Sequence, residues 1–190
     1  MGRRELQAAL EEVAEILGSR RQTGRIYIVG GAAMAMAYDS ERFTHDIDAV
    51  ILDGHGALTA AVHEVARRRG LPTSWLNEQA SAYVPKGKDR RGRVVFDHPR
   101  LRVTAASPER MLAMKTMSAR AADIPDLRVL IEMLGYSTPD QVLETTASVF
   151  PDQELPKRSA TTVSYLFGER NRARVLEPAP ERCHDHEAFD

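Results

Sequence analysis

A Gly30-Gly31 pair closes the apolar run Arg25–Val29, and sixteen residues past Gly30 the chain reads Asp46-Ile47-Asp48 at the head of a second apolar run, Ile47–Leu52. The residues between, Ala32–Tyr38, are small and suit a short helix. On an extended chain successive side chains alternate, so Asp46 and Asp48 share one face while Ile47 and Ala49 point into the core. Two carboxylates on one face can share a divalent cation. Glycine lacks a Cβ, so backbone N–H groups at the start of the helix can approach a phosphate closely, where the helix dipole also favours an anion. Each motif alone is common at turns and strand ends, but their conjunction encodes a cation site and a phosphate cradle side by side.

The same residues carry a resemblance. A Gly-Gly step, a short helix and Asp-x-Asp on the next strand resemble the signature of the polymerase-β-like nucleotidyltransferase superfamily. Within it, TGRIYIVGGAAMAMAY, RFTHDIDAV, Trp75-Leu76-Asn77 and ASPERMLAMK (106–115) are similar to the MenT and AbiEii-type toxin nucleotidyltransferases, a DUF6036-like group, over roughly residues 25–150. The resemblance implies an α+β (mixed α/β) fold, with a small mixed-sheet nucleotidyltransferase core and a C-terminal helical half.

Composition bounds the alternatives. A chain of 190 residues that is 43% hydrophobic fits one domain, or one domain plus a small appendage. No apolar run is long enough to span a bilayer, and the acidic Glu5, Glu11, Glu12 and Glu15 do not suit a signal peptide, so a cytoplasmic location is expected. The single cysteine, Cys183, excludes an internal disulfide and a Cys-rich zinc framework. A net charge of −1 argues against indiscriminate nucleic-acid coating. Basic charge is local: Arg67–Arg69 end a predicted helix, and Lys86, Lys88, Arg90, Arg91 and Arg93 crowd a loop. Either group could contact phosphates, or the arginines could answer the helix dipole while the loop is merely solvated.

Apolar spacing predicts a packing helix over 4–17, stopped by Gly18, and another over Ala57–Arg69, ended by Gly70. Leu71–Leu76 reads as extended, and Val94–Phe96 with Leu101–Thr104 as a hairpin or two edge strands. The result is a mixed sheet of about four or five strands, with helices covering one side. Ser107 and Pro108 open a helix reaching about Ala121. A second runs from near Asp123 to Gly135, and a third from Thr138-Pro139 to Pro151, with Gln141 completing a capping box. Residues 1–105 are read as the core, 106–170 as the helical half, in which Val163–Phe167 docks, and 171–190 as a polar tail.

Beyond the aspartates, Lys115 is unusual because it falls on the apolar stripe with Met111 and Leu112. It either snorkels outward or points into a cleft where its charge meets phosphate. The resemblance favours the second, since relatives carry a functional lysine on a helix after the sheet, followed by an aspartate. Here Lys115, Arg120, Asp123, Asp126 and Leu127 match that pattern, with Asp126 preferred to Asp123 for the site. Asp97, after a strand, is a rival third acid. Thr44 could touch a triphosphate, whereas His45 reads as a turn residue and the cluster Cys183-His184-x-His186-Glu187 as an unstructured end.

These residues point to transfer of a nucleoside monophosphate from an NTP to an acceptor hydroxyl. Asp46 and Asp48 would hold Mg²⁺ in a two-metal site, Gly30, Gly31 and Thr44 would bind the nucleotide, and Lys115 and Asp126 would serve catalysis. The resemblance further implies the tRNA 3′ end as acceptor, and a toxin neutralised by a cognate antitoxin. An aminoglycoside-type antibiotic acceptor and a catalytically silent binding module on the same fold are the alternatives, the first requiring an acidic cleft and the second disfavoured by the intact Asp-Ile-Asp.

Overall fold

The computed structural model of the chain describes residues 1–39 and 41–176, the last seven by their backbone alone. Helix α1 (Arg3–Ser19) leads into strand β1 (Gly24–Val29), then the short helix α2 (Gly30–Ala33) with a π-helical continuation, Met34–Tyr38. Strand β2 (Ile47–Asp53), helix α3 (His55–Arg69) and strand β3 (Leu76–Asn77) follow, then a 3₁₀ turn (Gln79–Tyr83) and strands β4 (Arg93–His98) and β5 (Leu101–Ala105). Helices α4 (Pro108–Ser118), α5 (Ile124–Met133), α6 (Pro139–Val149) and α7 (Lys157–Leu176) form the C-terminal half. The five strands make one mixed sheet in the order β3-β2-β1-β5-β4, so the expected α+β architecture is present.

Strand β1 lies at the centre, antiparallel to β2 and parallel to β5. Ile26, Tyr27, Ile28 and Val29 are all buried, and because consecutive strand residues face opposite ways, both faces of the sheet are covered here. On the Ile26 and Ile28 face lies α3. A Cβ on Gly24, which shares that face, would stand 2.6 Å from the Leu58 side chain, so glycine is what lets α3 sit this close. Helix α1 packs on α3, where Arg69 reaches Glu12 at 2.6 Å. The Tyr27 and Val29 face is covered differently. The Tyr27 hydroxyl donates to Asp89 Oδ2 at 2.7 Å, and the backbone N–H of Ser107, at the head of α4, donates to the same oxygen at 2.8 Å.

Several boundaries differ from the sequence expectation. Strand β2 begins at Ile47 as expected but runs one residue further, to Asp53, and Asp46 lies in the bend before it, outside the strand alternation that was to set it beside Asp48. Helix α4 stops at Ser118 rather than Ala121, because Ala119 takes a left-handed φ of 43° and returns its N–H to the Lys115 carbonyl. Of Leu71–Leu76 only Leu76 pairs, together with Asn77, parallel to Ile47 and Asp48. Where only Val163–Phe167 was expected to dock, α7 is helical to Leu176, past the start of the expected tail. Arg68 pairs with Glu64 and Arg69 with Glu12, so the end of α3 is a packed, dipole-compatible terminus. The Cys183–Glu187 cluster lies outside the described residues.

Candidate active site

The ladder between β1 and β2 sets Asp48 directly across from Val29, at the point where β1 turns into α2. Gly30 makes that turn with φ +65°, a backbone conformation side chains resist. A Cβ there would lie 2.8 Å from Asp48 Oδ2, and one on Gly31 would lie 2.6 Å from Thr44 Oγ1. Each glycine therefore vacates the space that a motif side chain fills: Asp48 against Gly30, Thr44 against Gly31. The Thr44 hydroxyl in turn donates to the Asp46 carbonyl at 3.1 Å, bracing the bend that carries the first aspartate. Gly30, Gly31, Thr44, Asp46 and Asp48 are thus one local constellation.

The electrostatics agree with two facing acids. Burial, with the neighbouring Asp46 charge behind it, holds the Asp48 carboxyl above the usual carboxylate range, against the opposing pull of Arg120 and Lys115. A half-buried pair of hard oxygen donors, crowded by like charge, is chemically suited to a divalent cation, which removes the repulsion on binding.

Lys115 does not snorkel. Its ammonium is buried and lies 2.9 Å from Asp123 Oδ1 and 2.6 Å from Asp126 Oδ2. Asp126, 1% exposed, is also 3.1 Å from Arg42 Nε. Asp123 accepts from the Ser118 hydroxyl at 2.6 Å and from Arg120 Nε at 3.0 Å. Desolvation works against the Asp123 charge, but the Ser118 hydroxyl, Lys115 and Arg120 together hold its carboxyl below the usual range. Three cations thus share two carboxylates, leaving positive charge that acts on Asp48.

The three acids nominated to complete a metal triad are placed elsewhere. Asp123 and Asp126 are engaged by cations. Asp97 is level with Arg102, itself level with Arg25, four residues and roughly 13 Å along the strand from Val29. Among the described residues no group of three His, Cys, Asp or Glu could hold a metal ion. The neighbour of Asp48 on its other flank is Asn77, paired with it in the β2–β3 ladder, whose Nδ2 is 3.4 Å from Asp46 Oδ2. His45 is exposed, as a turn residue would be.

A cleft of about 890 Å³ opens beside these groups, a size suited to a nucleotide. Val29, Gly30 and Asp48 line it together with Lys115 and Arg120, and Tyr83, Met114 and Phe150 add apolar surface. Sequence reasoning gave no role to Arg42, Asn77 or Asp89, since each acts through a partner at least 18 positions away.

Asp89 alters the reading of the basic loop. Besides Tyr27 and Ser107 it accepts from its neighbour Arg91 N–H, and Arg110 donates to the carbonyls of Pro85, Lys86 and Gly87 at 2.9–3.3 Å. Desolvation raises the Asp89 carboxyl, but these N–H and hydroxyl donors outweigh it and hold it below the usual range. Arg91 pairs with Glu109 at 2.5 Å, and Arg93 lies 5.1 Å over the Tyr38 ring. Lys86, Lys88 and Arg90 project from a loop whose backbone is pinned.

A mixed sheet bearing a Gly-Gly turn against paired aspartates, backed by helices around a nucleotide-sized cleft, defines a nucleotidyltransferase-like α+β protein. Residues 4–158 match the DUF6036 family, described as nucleotidyltransferases of unknown function, and the chain belongs to that family. No curated protein matches the chain significantly.

Proposed function

We propose that the protein transfers a nucleoside monophosphate from an NTP to an acceptor hydroxyl, releasing pyrophosphate. The observation that carries this reading is the Asp48 carboxylate lodged where Gly30 lacks a Cβ, in a cleft that Lys115 and Arg120 also line. Asp46 and Asp48 would hold Mg²⁺, which when bound neutralises phosphate charge and lowers the pKa of an attacking hydroxyl. The chain's own groups do the rest. Gly30 and Gly31 let the helix start approach the phosphates, and Thr44 holds the bend that aims Asp46. The Lys115–Asp126–Arg42 cluster supplies fixed positive charge toward the transferred group in a site that need not reorganise. Asp126 acts here through Lys115, which it holds in place.

For the acceptor we favour RNA, specifically the tRNA 3′ end, with the protein acting in the cytoplasm as a toxin held by a cognate antitoxin. The tRNA and toxin elements rest on the resemblance to MenT and AbiEii-type enzymes, and the pinned loop presenting Lys86, Lys88 and Arg90 supports an anionic acceptor over a polycationic drug. Among the described residues no helix is long and apolar enough to cross a membrane.

Incubation with each labelled NTP, Mg²⁺ and total tRNA tests the reading, with aminoglycosides in parallel. Label should enter tRNA with the wild type and not with Asp48→Asn. Label on the antibiotic alone would replace the acceptor, and no transfer to either would leave a nucleotide-binding module.

A further inference from the structure

Four arginines gather at the end of the sheet opposite the paired aspartates. Strand β1 begins there, and the ladders set Asp53, Arg25, Arg102 and Asp97 in one row across four strands. Paired residues of neighbouring strands share a face, so Arg25 and Arg102 stand side by side on strands roughly 4.8 Å apart. Like charges placed directly opposite one another destabilise a sheet. The flanking acids relieve this only loosely. Arg25 Nε is 3.8 Å from Asp53 Oδ2 and Arg102 Nε is 3.9 Å from Asp97 Oδ1, beyond hydrogen-bond length, and all four side chains are more than half exposed.

Arg21 and Arg100 flank the row. Helix α1 ends in a Schellman motif, in which the Arg21 N–H donates to the Gly18 carbonyl at 3.0 Å and the Gln22 N–H to the Leu17 carbonyl at 2.8 Å. The left-handed position of that motif, with φ 54°, is one that glycine normally fills, and here it carries an exposed arginine. Arg100, in the turn between β4 and β5, is tied in beside it. Its carbonyl accepts the Gly24 N–H at 2.9 Å, and its Cγ lies 3.6 Å from where a Cβ on Gly18 would stand. Among the described residues neither Arg21 nor Arg100 makes an ion pair.

The row shares a face of the sheet with the cleft. From Val29, which is level with Asp48, the same face of β1 presents Tyr27 and then Arg25, in steps of roughly 7 Å. Tyr27 is where Asp89 fastens the loop bearing Lys86, Lys88 and Arg90. Cations thus stand at three levels: Lys115 and Arg120 in the cleft, the loop, and the arginine row. A nucleic-acid strand carries one phosphate per roughly 3.4 Å of duplex, so the roughly 13 Å from Val29 to Arg25 is the reach of about four nucleotides.

We infer that the arginine row seats the backbone of the RNA acceptor about four nucleotides from its reacting end, so that the protein holds the body of an RNA and not its terminal nucleotides alone. The inference rests on the RNA-acceptor reading proposed above. Guanidinium forks take phosphate oxygens bidentately, and a phosphate between Arg25 and Arg102 would end their repulsion and displace the distant carboxylates. The row offers an acidic protein no aromatic anchor of the kind that dominates protein interfaces, since its four side chains are all charged.

The experiment titrates the full chain into fluorescently labelled tRNA across a KCl series, with NTP-dependent labelling of tRNA and of a trinucleotide assayed alongside. Arg25→Gln with Arg102→Gln should flatten the slope of log K against log salt by about 2 and raise KM for tRNA with kcat held. Transfer to the trinucleotide, about 10 Å long by the same spacing and too short to reach the row, should match wild type. Arg67→Gln with Arg68→Gln, an equal loss of charge on the opposite face, should leave the slope unchanged. Asp53→Asn with Asp97→Asn should instead tighten tRNA binding, because the carboxylates that compete with phosphate are gone. Arg21→Gly should raise the melting temperature while lowering the slope by about 1. A wild-type slope and KM from the Arg25 and Arg102 variant, or an equal loss from the Arg67 and Arg68 control, would overturn the inference and leave the transfer reading in place. Displacement of tRNA by poly-L-glutamate as readily as by unlabelled RNA would make the row an acidic-protein site and overturn it as well. No binding or labelling of RNA by the wild type would overturn the acceptor reading itself.

Discussion

Asp48 and its surroundings show how a single residue can be placed by what its neighbours lack. Its carboxylate is near Asp46, partly desolvated, and sits in the gap at Gly30. In metal-free protein, Asp48→Asn should therefore melt no lower than wild type, and slightly higher, because one of two repelling charges is gone. Transfer should be lost in the same preparation. Millimolar Mg²⁺ should raise the wild-type midpoint and leave the variant's unchanged, by mass action on the folded state. Parallel thermal melts and labelled-NTP assays check this, and wild-type turnover from Asp48→Asn in saturating Mg²⁺ would sink the assignment.

At the scale of elements, two polar clusters fasten helix and loop to the sheet. The first joins α4 to α5 and to the segment carrying Arg42, through Lys115 and Asp126. Lys115→Met leaves two buried acids short of a partner and should cost about 3 kcal/mol of stability, near the low end for breaking a buried pair because Arg42 and Arg120 remain. Adding Asp126→Asn should restore much of that loss. Transfer should nonetheless stay lower by about two to three orders of magnitude in the double variant, the scale of one lost charge-stabilising group. A stable double variant with wild-type turnover would reduce Lys115 to packing.

The second cluster centres on Asp89, which ties the loop 85–91 to β1 and to the head of α4. Its carboxyl is held below the usual range in the folded protein, so its contribution is fully present above the unfolded value of roughly 4 and is lost as pH falls through the folded one. Asp89→Asn should accordingly destabilise by about 2 kcal/mol at neutral pH, the value of charged hydrogen bonds made neutral, and the gap from wild type should narrow below about pH 4. Denaturant titrations across that range measure it. A gap independent of pH would show that the Asp89 charge is not what holds the loop.

Considered as a whole molecule, the fold lines its cleft with the cations Lys115, Arg120 and Arg158 although the net charge is only −1. Arg67–Arg69 lie on the opposite face of the sheet with α3, where Arg68 and Arg69 are paired. Of the loop residues, Arg91 and Arg93 are occupied by Glu109 and Tyr38. Replacing Lys86, Lys88 and Arg90 together by Gln should therefore weaken RNA-acceptor binding, flattening the slope of log K against log salt by about 2 if all three touch phosphate. NTP binding and melting temperature should barely change. An unchanged slope would place the acceptor elsewhere.

What the sequence determined was local. The Gly-Gly turn, the Asp-x-Asp spacing, the Ser107-Pro108 start of α4 and the Thr138–Gln141 capping box all depend on residues a few positions apart, and each is present in the fold. The tertiary structure decided what lies between distant segments. Asn77 stands beside Asp48 because a two-residue strand pairs with β2, too short a run to show a periodicity of its own. Asp97 reads as a strand acid in any one-dimensional view, and only the register of β4 on β5 puts it at the wrong end of the sheet. Lys115 could have snorkelled on any helix, and is buried because the head of α5 and the turn before it bring two carboxylates to it. Short-range hydrogen bonding and steric exclusion are written in neighbouring residues, whereas the balance between desolvation and charge pairing depends on groups that meet only once the chain has folded.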